Sequence, residues 1–206
     1  MNARNNYSER DWRLHRWAYH RLTEMVDQQI QVVLDALKES GQEENTVVIF
    51  SSDHGDMDSA HRMEHKTALY DEAARIPFMV MYKGRIKGGV VDHEHLVSNG
   101  LDLLTTVCDF AGIKGQSDPR GLSVRAIVEG KKVPAWRTSL GVESEIGRMV
   151  VGDRCKYIKY DAKGEEVQLL DLKQDPHETR HFTNEESHKA MLAQMKQEFE
   201  EWFPGK

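Results

Sequence analysis

The chain has 206 residues, 39% of them hydrophobic and 30% charged, and its mean hydropathy of −0.65 suits a water-soluble globular protein of one large or two small domains. Its net charge of −6 argues against binding to nucleic acid or to an anionic membrane, because either partner requires a basic patch. The two cysteines provide no disulfide framework, and no apolar run reaches the length of a membrane-spanning helix.

The first half of the chain alternates predicted helices and strands. Apolar residues recur at three- and four-residue steps over residues 11–39, which predicts a long helix with a core-facing stripe, ended by Gly41. Residues 47–50 are β-branched and aromatic without alternation, a pattern typical of a parallel strand covered on both faces. A short helix, a second buried strand and a third helix follow, over residues 66–75, 77–82 and 99–111. This order indicates an α/β fold.

The second half has shorter predicted elements. A polar segment over residues 112–121 indicates a boundary, so we expect residues 1–115 to form an α/β core and residues 116–206 a small α+β subdomain. An antiparallel sheet is predicted from four short segments, residues 138–142, 148–151, 155–160 and 166–170. A closing helix over residues 185–203 should pack on that sheet. Its apolar side carries Met191, Leu192, Met195, Phe199 and Trp202.

Asp53 and His54 stand where the first predicted strand runs into a turn at Gly55. Ligand sites in open α/β sheets lie beyond the carboxyl ends of the strands, so this polar pair is positioned for chemistry. A carboxylate beside an imidazole indicates part of a divalent-metal site, although two adjacent ligands cannot complete a coordination shell. The alternative is that Asp53 caps the following turn and His54 is an ordinary loop histidine.

Lys66 is predicted to meet the amino terminus of the short helix, with Thr67 near its start. Backbone N–H groups and the helix dipole favour an anion there, and the ammonium adds a full charge. Lys66 is therefore a candidate ligand for phosphate, sulfate or carboxylate. The alternative is a solvated lysine, the commoner fate of any single lysine.

Three blocks of sequence occur in a characteristic order. The first spans residues 27–55 and ends in Asn45-Thr-Val-Val-Ile-Phe-Ser-Ser-Asp-His-Gly55, and the second spans residues 61–77. The third joins Lys156-Tyr-Ile-Lys159 and Leu169-Leu-Asp-Leu172 to Asp175-Pro-His-Glu178. Together they resemble the carboxy-terminal half of the sulfatase family, in the alkaline phosphatase-like superfamily. Ser-Asp-His-Gly alone also suits phosphoesterases or phosphotransferases of that superfamily, which remain the alternative, whereas the Asp-Pro-x-Glu tail is more typical of sulfatases.

The resemblance implies a nucleophile that this sequence does not carry. Sulfatases convert a cysteine or serine, in Cys/Ser-x-Pro-Ser/Ala-Arg, to formylglycine, and that motif belongs to their amino-terminal half. Cys108 and Cys155 lack the proline and arginine, and we expect both to be buried or half-buried thiols. Ser117-Asp-Pro-Arg120 is one residue short and is interpreted as a turn. We therefore expect the isolated chain to be inactive, with the amino-terminal half of the same protein as its partner.

The resemblance also implies roles for particular residues. The parent protein would hydrolyse sulfate esters of a small molecule or carbohydrate, with a divalent cation, calcium in most of the family. Asp53 and His54 would supply part of the metal shell, although many members have Asn where His54 stands. Lys66 would hold a sulfate oxygen, and His61 would lie near the substrate or the leaving-group oxygen. Residues 1–10 show no signal peptide and no location is assigned to the chain, while a periplasmic or secreted parent is the expectation.

Two remote alternatives belong to other classes. His61-Arg-Met-Glu-His65 matches the His-x-x-Glu-His pattern, in which two histidines one helical turn apart bind zinc and the glutamate acts as a base. That reading requires a helix over the five residues and a further acidic ligand. The other alternative is a non-catalytic binding or structural module.

Overall fold

The computed structural model describes residues 7–114, 118–133, 135–161 and 167–205. Its first element is α1 (Glu9–Glu39), which confirms the predicted long helix. The helix begins with a capping box, because Ser8 Oγ accepts a hydrogen bond from Asp11 N and the Asp11 carboxylate accepts one from Ser8 N. Gly41, at a φ of +70°, follows the last turn, as the sequence predicts.

The apolar stripe of α1 does not face the core of this chain, so that part of the prediction is wrong. Trp12 is buried, but Leu22, Met25, Val26 and Val33 are 61%, 58%, 57% and 67% exposed. The stripe is uncovered because no other element within the described ranges packs over it. An apolar helix face of this size normally lies against another element.

The next strands are β1 (Val48–Ser51) and β2 (Phe78–Met81). Both predicted strands are confirmed, but they pair with each other in antiparallel register, with Val48 opposite Met81, so the predicted parallel arrangement is wrong for this pair. Burial on both faces is also wrong. Phe50, Met79 and Met81 are 38%, 56% and 46% exposed, because this two-stranded sheet has little covering it in the described residues.

The helix α3 (Asn99–Ala111) has the predicted bounds, and the four-residue helices α2 (Asp71–Ala74) and α4 (Arg125–Val128) stand on either side of it in the chain. Asp102 on α3 is fully buried, and its carboxylate accepts two hydrogen bonds from Arg137, at 2.5 and 2.6 Å. It also accepts from Ser98 N and Leu122 N, so the buried charge is paired and fully hydrogen-bonded. This pair ties α3 to the segment that leads into the second sheet.

The second sheet confirms the predicted antiparallel subdomain. Its strands are β3 (Ser139–Ser144), β4 (Gly147–Gly152), β5 (Cys155–Tyr160) and β6 (Val167–Asp171), paired in chain order. The closing helix α5 (Lys189–Trp202) packs on this sheet, as predicted. Its buried Met195 and Phe199 join Val150, Tyr157 and Leu169 in one cluster, with Met191, Leu192 and Trp202 at the edge.

An apolar cluster connects the second sheet to the segment that leads into α2. Leu69, from the segment before α2, packs with Met149, Ile158 and Leu170 of the second sheet. The division at residues 115 and 116 stays a prediction, and the predicted turn at Ser117 begins outside the described residues. Cys108 is half-buried and Cys155 buried, both free thiols, as predicted. No helix in the described ranges is both long and apolar enough to cross a bilayer.

Asp171, at the end of β6, anchors the turn that follows it. The fully buried carboxylate accepts hydrogen bonds from Arg154 at 2.7 Å and from the backbone N–H of Lys173 at 3.0 Å, and it lies 3.2 Å from His188 Nε2. The hydrogen bonds from Arg154, more than any other interaction, hold the pKa of Asp171 well below its ordinary value, although burial raises it. One ionised side chain at the end of β6 therefore connects the residue before β5 with the residue before α5.

The Asp171 carboxyl has a lower pKa in the folded chain than in the unfolded chain, where it is ~4. Its ionised form therefore stabilises the fold above pH ~4, and this stabilisation is lost as the pH falls further. We therefore expect the melting temperature of the wild-type chain to fall between about pH 6 and about pH 3, in part through Asp171. Asp171→Asn should melt lower at neutral pH and lose fewer degrees over the same range. An equally steep fall for Asp171→Asn would show that Asp171 does not carry this acid sensitivity.

Candidate active site

The site begins where β1 ends. Asn99, the first residue of α3, donates from its side-chain amide to the carbonyl oxygens of Ser52 at 2.7 Å and Asp53 at 3.1 Å. Ser52 Oγ donates to the carbonyl oxygen of His54 at 2.6 Å. These bonds fix the backbone that presents Asp53 and His54. Asn99 was not predicted as a site residue, because nothing in its sequence context distinguishes it from an ordinary residue at a helix start.

Gly55 allows the site backbone to approach α2 closely. Its N–H donates to the carbonyl oxygen of Ala73 at 2.8 Å, and a Cβ at this position would lie 2.0 Å from the carbonyl oxygen of Glu72. The sequence predicts a glycine turn here, but the positive-φ glycines of the described residues do not include Gly55. The requirement is therefore space for the neighbouring backbone rather than a left-handed turn.

Asp53 and His54 present two atoms of metal-ligating type, a carboxylate oxygen and an imidazole nitrogen, side by side. Asp53 Oδ1 accepts a hydrogen bond from the His54 N–H at 3.0 Å, and Asp53 Oδ2 lies 3.3 Å from His54 Nε2. His54 Nδ1 is 2.7 Å from the carbonyl oxygen of Gly55. Because a carbonyl only accepts, Nδ1 is the ring nitrogen that donates here, and in the neutral form of the ring the lone pair is on Nε2, beside the carboxylate.

The electrostatics of this pair favour an ionised carboxylate. The hydrogen bond from the His54 N–H is the largest cause that lowers the pKa of Asp53, and the charges of His54 and Lys66 lower it further. The Asp53 side chain is 83% exposed, so its oxygens remain accessible. A carboxylate oxygen and an imidazole nitrogen together fit a divalent cation. No group of three such ligands occurs in the part of the chain that the structure describes, so the set is incomplete here.

His61 lies on a loop with unusual backbone geometry. Its ring stacks on Tyr70, with centroids 4.1 Å apart and planes at 11°, and its Nε2 is 3.8 Å from a carboxylate oxygen of Glu72. In this loop, five non-glycine residues have a positive φ, namely Asp58, Ser59, His61, Arg62 and His65. A left-handed conformation costs a non-glycine residue about 1–2 kcal/mol, so this loop stores strain.

The same geometry overturns the zinc-peptidase reading of this segment. His61 and His65 are not one helical turn apart, because the chain forms a single 3-10 turn (Ala60–Arg62) and then extends at Met63. His65 has a φ of +69° and a side chain that is 78% exposed, whereas the side chain of His61 is 15% exposed. The two imidazoles do not share a helix face, so the predicted arrangement for binding one zinc is absent from these five residues.

Lys66 is exposed and lies on a bend before α2, so its predicted place at a helix start is wrong. The helix begins only at Asp71, because Ala68 and Leu69, at 4% and 2% exposure, extend into the core instead of continuing a helix. The charge of the ammonium nevertheless contributes to lowering the pKa of Asp53. A role of Lys66 at the site therefore cannot draw on a helix dipole and stays a prediction.

A buried ion cluster holds α2 in place. Lys156 Nζ lies 2.5 Å from an Asp71 carboxylate oxygen and 2.7 Å from Glu178 Oε1, while Glu178 Oε2 accepts from Asp71 N at 2.6 Å. The side chains of Lys156 and Glu178 are only 1% and 2% exposed. Burial raises the pKa of Glu178, although Lys156 lowers it. The sequence indicates Glu178 through the tail motif that ends at this residue. Spacing in the sequence does not predict that Glu178 pairs with Lys156 and Asp71.

Solved structures define the class of fold. A 2-O GAG sulfatase matches 95% of this chain and 44% of its own chain, with a TM-score of 0.88 and 32% identity. The phosphonate monoester hydrolase of Agrobacterium radiobacter matches 94% of this chain and 42% of its own, with a TM-score of 0.81 at 22% identity, and so shares the fold alone. The predicted α/β fold of the alkaline phosphatase-like superfamily is confirmed.

Sequence comparisons define the family. The family model for sulfatases matches residues 3–113, and the model for the C-terminal part of N-sulphoglucosamine sulphohydrolase matches residues 59–203. The Delta 4,5-hexuronate-2-O-sulfatase of Bacteroides thetaiotaomicron is 34% identical over 200 residues, which are 92% of this chain and 41% of that protein. The chain belongs to the sulfatase family. It spans less than half the length of these relatives and matches their carboxy-terminal part, as the sequence predicts.

Gly55→Ala tests the close approach of the site backbone to α2. The new Cβ would overlap the Glu72 carbonyl oxygen, so the backbone must shift, at a cost of about 1–3 kcal/mol. We expect a clear fall in melting temperature. Gly88→Ala is the matched control, because a Cβ there has nothing within 4 Å and no positive φ to accommodate. Equal melting temperatures for the two variants would contradict the packing described.

Proposed function

We propose that the parent protein of this chain hydrolyses sulfate esters and that this chain supplies part of the site that binds the sulfate and the metal. The supporting observation is that Asp53, His54, His61 and Lys66 all lie on the segment between β1 and α2, in a chain of the sulfatase family. The relatives support a sulfated carbohydrate as substrate, since their names describe a hexuronate 2-O-sulfatase and a 2-O GAG sulfatase. A further solved relative is a complex with D-glucosamine-2-N,6-O-disulfate.

The nucleophile in this proposal is a formylglycine in the amino-terminal half of the parent, where it supplies the group that attacks sulfur. Two observations support a partner half. The chain corresponds to 41% of the Bacteroides thetaiotaomicron relative, and the apolar stripe of α1 and the β1–β2 sheet remain exposed. We propose that this half packs on those surfaces. The isolated chain should then turn over no sulfate ester.

The metal in this proposal is a divalent cation; the Asp53 carboxylate suits calcium, the cation that the resemblance implies, whereas the His54 nitrogen suits zinc or another transition metal. Asp53 Oδ2 and His54 Nε2, at 3.3 Å from each other, would hold it, and the amino-terminal half would complete the shell. Such a cation supplies Lewis-acid stabilisation of charge that develops on a sulfate oxygen. Support comes from the Nδ1 contact with Gly55, which leaves Nε2 free to ligate.

Lys66 and His61 act on the substrate in this proposal. The Lys66 ammonium binds a sulfate oxygen and neutralises charge as it develops there. His61 lies beside the leaving-group oxygen, where its ring can hold a proton at Nε2, next to Glu72. The stacking on Tyr70 fixes the plane of the ring, so the nitrogen keeps one direction.

Hydrolysis of a phosphate or phosphonate ester is the second candidate, since the Agrobacterium radiobacter hydrolase has the same fold. The two activities are separated by assaying the full-length parent on matched aryl sulfates, aryl phosphates and aryl phosphonates. Sulfate ester turnover should exceed the others. A preference for phosphonates would replace the proposed function.

Lys66→Ala in the full-length parent should lower turnover of a sulfate ester by roughly 100- to 1000-fold, the usual cost of losing one preorganised group that stabilises transition-state charge. His65→Ala is the matched control, because the exposed His65 side chain has no role in this site. Both variants should keep the wild-type melting temperature. The isolated chain serves as the inactive reference. Near wild-type turnover for Lys66→Ala, with loss of turnover in His65→Ala, would refute the assignment of Lys66.

A further inference from the structure

The start of α1 holds one end of the loop that carries His61. Ser59 Oγ donates to the Trp12 carbonyl oxygen at 3.3 Å. Asp58 Oδ2 lies 3.5 Å from Arg16 Nε and 3.7 Å from His20 Nε2. The three helix residues are four apart, so they share one face of α1 and meet the loop together.

The same helix face also reaches the other end of the loop. His15 Nδ1 lies 3.6 Å from Glu64 Oε1, and the Glu64 side chain is only 11% exposed. The Asp58 side chain is 18% exposed. Two shielded carboxylates, one on each side of His61, therefore face basic residues of α1. We call Asp58 and Glu64, with their partners on α1, the loop clamp.

The loop needs such support, because it is strained. Among the residues that the structure describes, six non-glycine residues have a positive φ, and five of them lie between Asp58 and His65. Left-handed conformations of this kind persist only where the surroundings impose them. Within the loop, Ser59 N donates to the Met63 carbonyl oxygen and Met57 N to that of His65. The loop clamp adds contacts from outside the loop on both sides of His61.

We infer that the start of α1 is a positioning element for the site and that Asp58 is a positioning residue that acts through His61. The inference rests on the proposed function only in giving His61 a role at the substrate. Because Arg16 and His20 are 60% and 62% exposed, their ion pairs with Asp58 contribute little to the stability of the whole fold, and the effect we expect is local to the loop. The consequence of the clamp is therefore a defined place for the imidazole rather than a more stable fold.

The test uses Asp58→Asn in the full-length parent, with Glu24→Gln as the matched control, since Glu24 pairs with Arg21 on the exposed surface of the same helix. Amide hydrogen exchange over residues 57–65 measures the hold on the loop without reference to activity. Asp58→Asn should exchange faster there than wild type, and Glu24→Gln should not. The kcat of Asp58→Asn on a sulfate ester should fall about 10- to 100-fold with little change in KM, as expected when a reacting group is misplaced.

The link to His61 is tested by combining Asp58→Asn with His61→Ala. If Asp58 acts through His61, the double variant should be no slower than His61→Ala alone. A further fall in the double variant, or unchanged exchange over residues 57–65 in Asp58→Asn, would overturn the inference. His61→Ala with wild-type turnover would refute both the role of His61 and the inference. If the wild-type parent hydrolyses no sulfate ester, the proposed function fails, and the exchange measurement still decides whether α1 holds the loop.

Discussion

The buried ion cluster of Asp71, Lys156 and Glu178 is the constraint on which the arrangement of the site depends. It joins three distant parts of the chain, namely the start of α2, the strand β5 and the turn that follows Asp175. The backbone of α2 in turn supports Gly55 through the Ala73 carbonyl oxygen. A line of direct contacts therefore runs from the carboxy-terminal sheet, through α2, to the end of β1 where Asp53 and His54 stand.

Burying these charged groups costs desolvation free energy, and removing one of them costs more, because its partner then stays buried and unpaired. Lys156 and Glu178 are almost completely removed from water, and burial opposes ionisation of Glu178. The ion pairs of Lys156 and the Asp71 N–H bond compensate for that burial, so removing one partner leaves an unpaired buried charge. Leu69, two residues before Asp71, packs on the second sheet and gives this part of the chain an apolar attachment as well. The family's tail motif thus has a structural explanation in this chain, because Glu178 fixes α2 rather than contacting the candidate site.

Much of the fold could be predicted because local patterns determine it. Helices α3 and α5 and the strands β3 to β6 have clear periodicity and turn residues, and the structure confirms them within a few residues. The errors all concern tertiary context. The stripe of α1 has a core-facing pattern but nothing in the described residues covers it, and the segment around Ala68 is drawn into the core before a helix can begin.

The candidate site divides in the same way. Asp53 and His54 were predictable because they directly follow a strand, and their adjacency in sequence makes them neighbours in space. His61 contacts Tyr70 and Glu72, and the loop contacts α1, only because several loop residues have a left-handed backbone. These residues are not glycines, so the sequence does not indicate that conformation. No sequence period predicts such a loop. The role of Lys66 stays a prediction from the resemblance to sulfatases, because the helix start predicted for it is absent.

A double-mutant cycle on Lys156 and Glu178 tests the central claim most directly. The measurement is the free energy of unfolding of Lys156→Met, Glu178→Leu and the double variant. Each single variant should lose about 3–5 kcal/mol, because a buried charge is left without its partner. The double variant should lose clearly less than the sum of the two, since both charges are gone and Asp71, with about a third of its side chain exposed, can be hydrated. Additive losses would contradict the account, because they would mean that the cluster does not act as one unit.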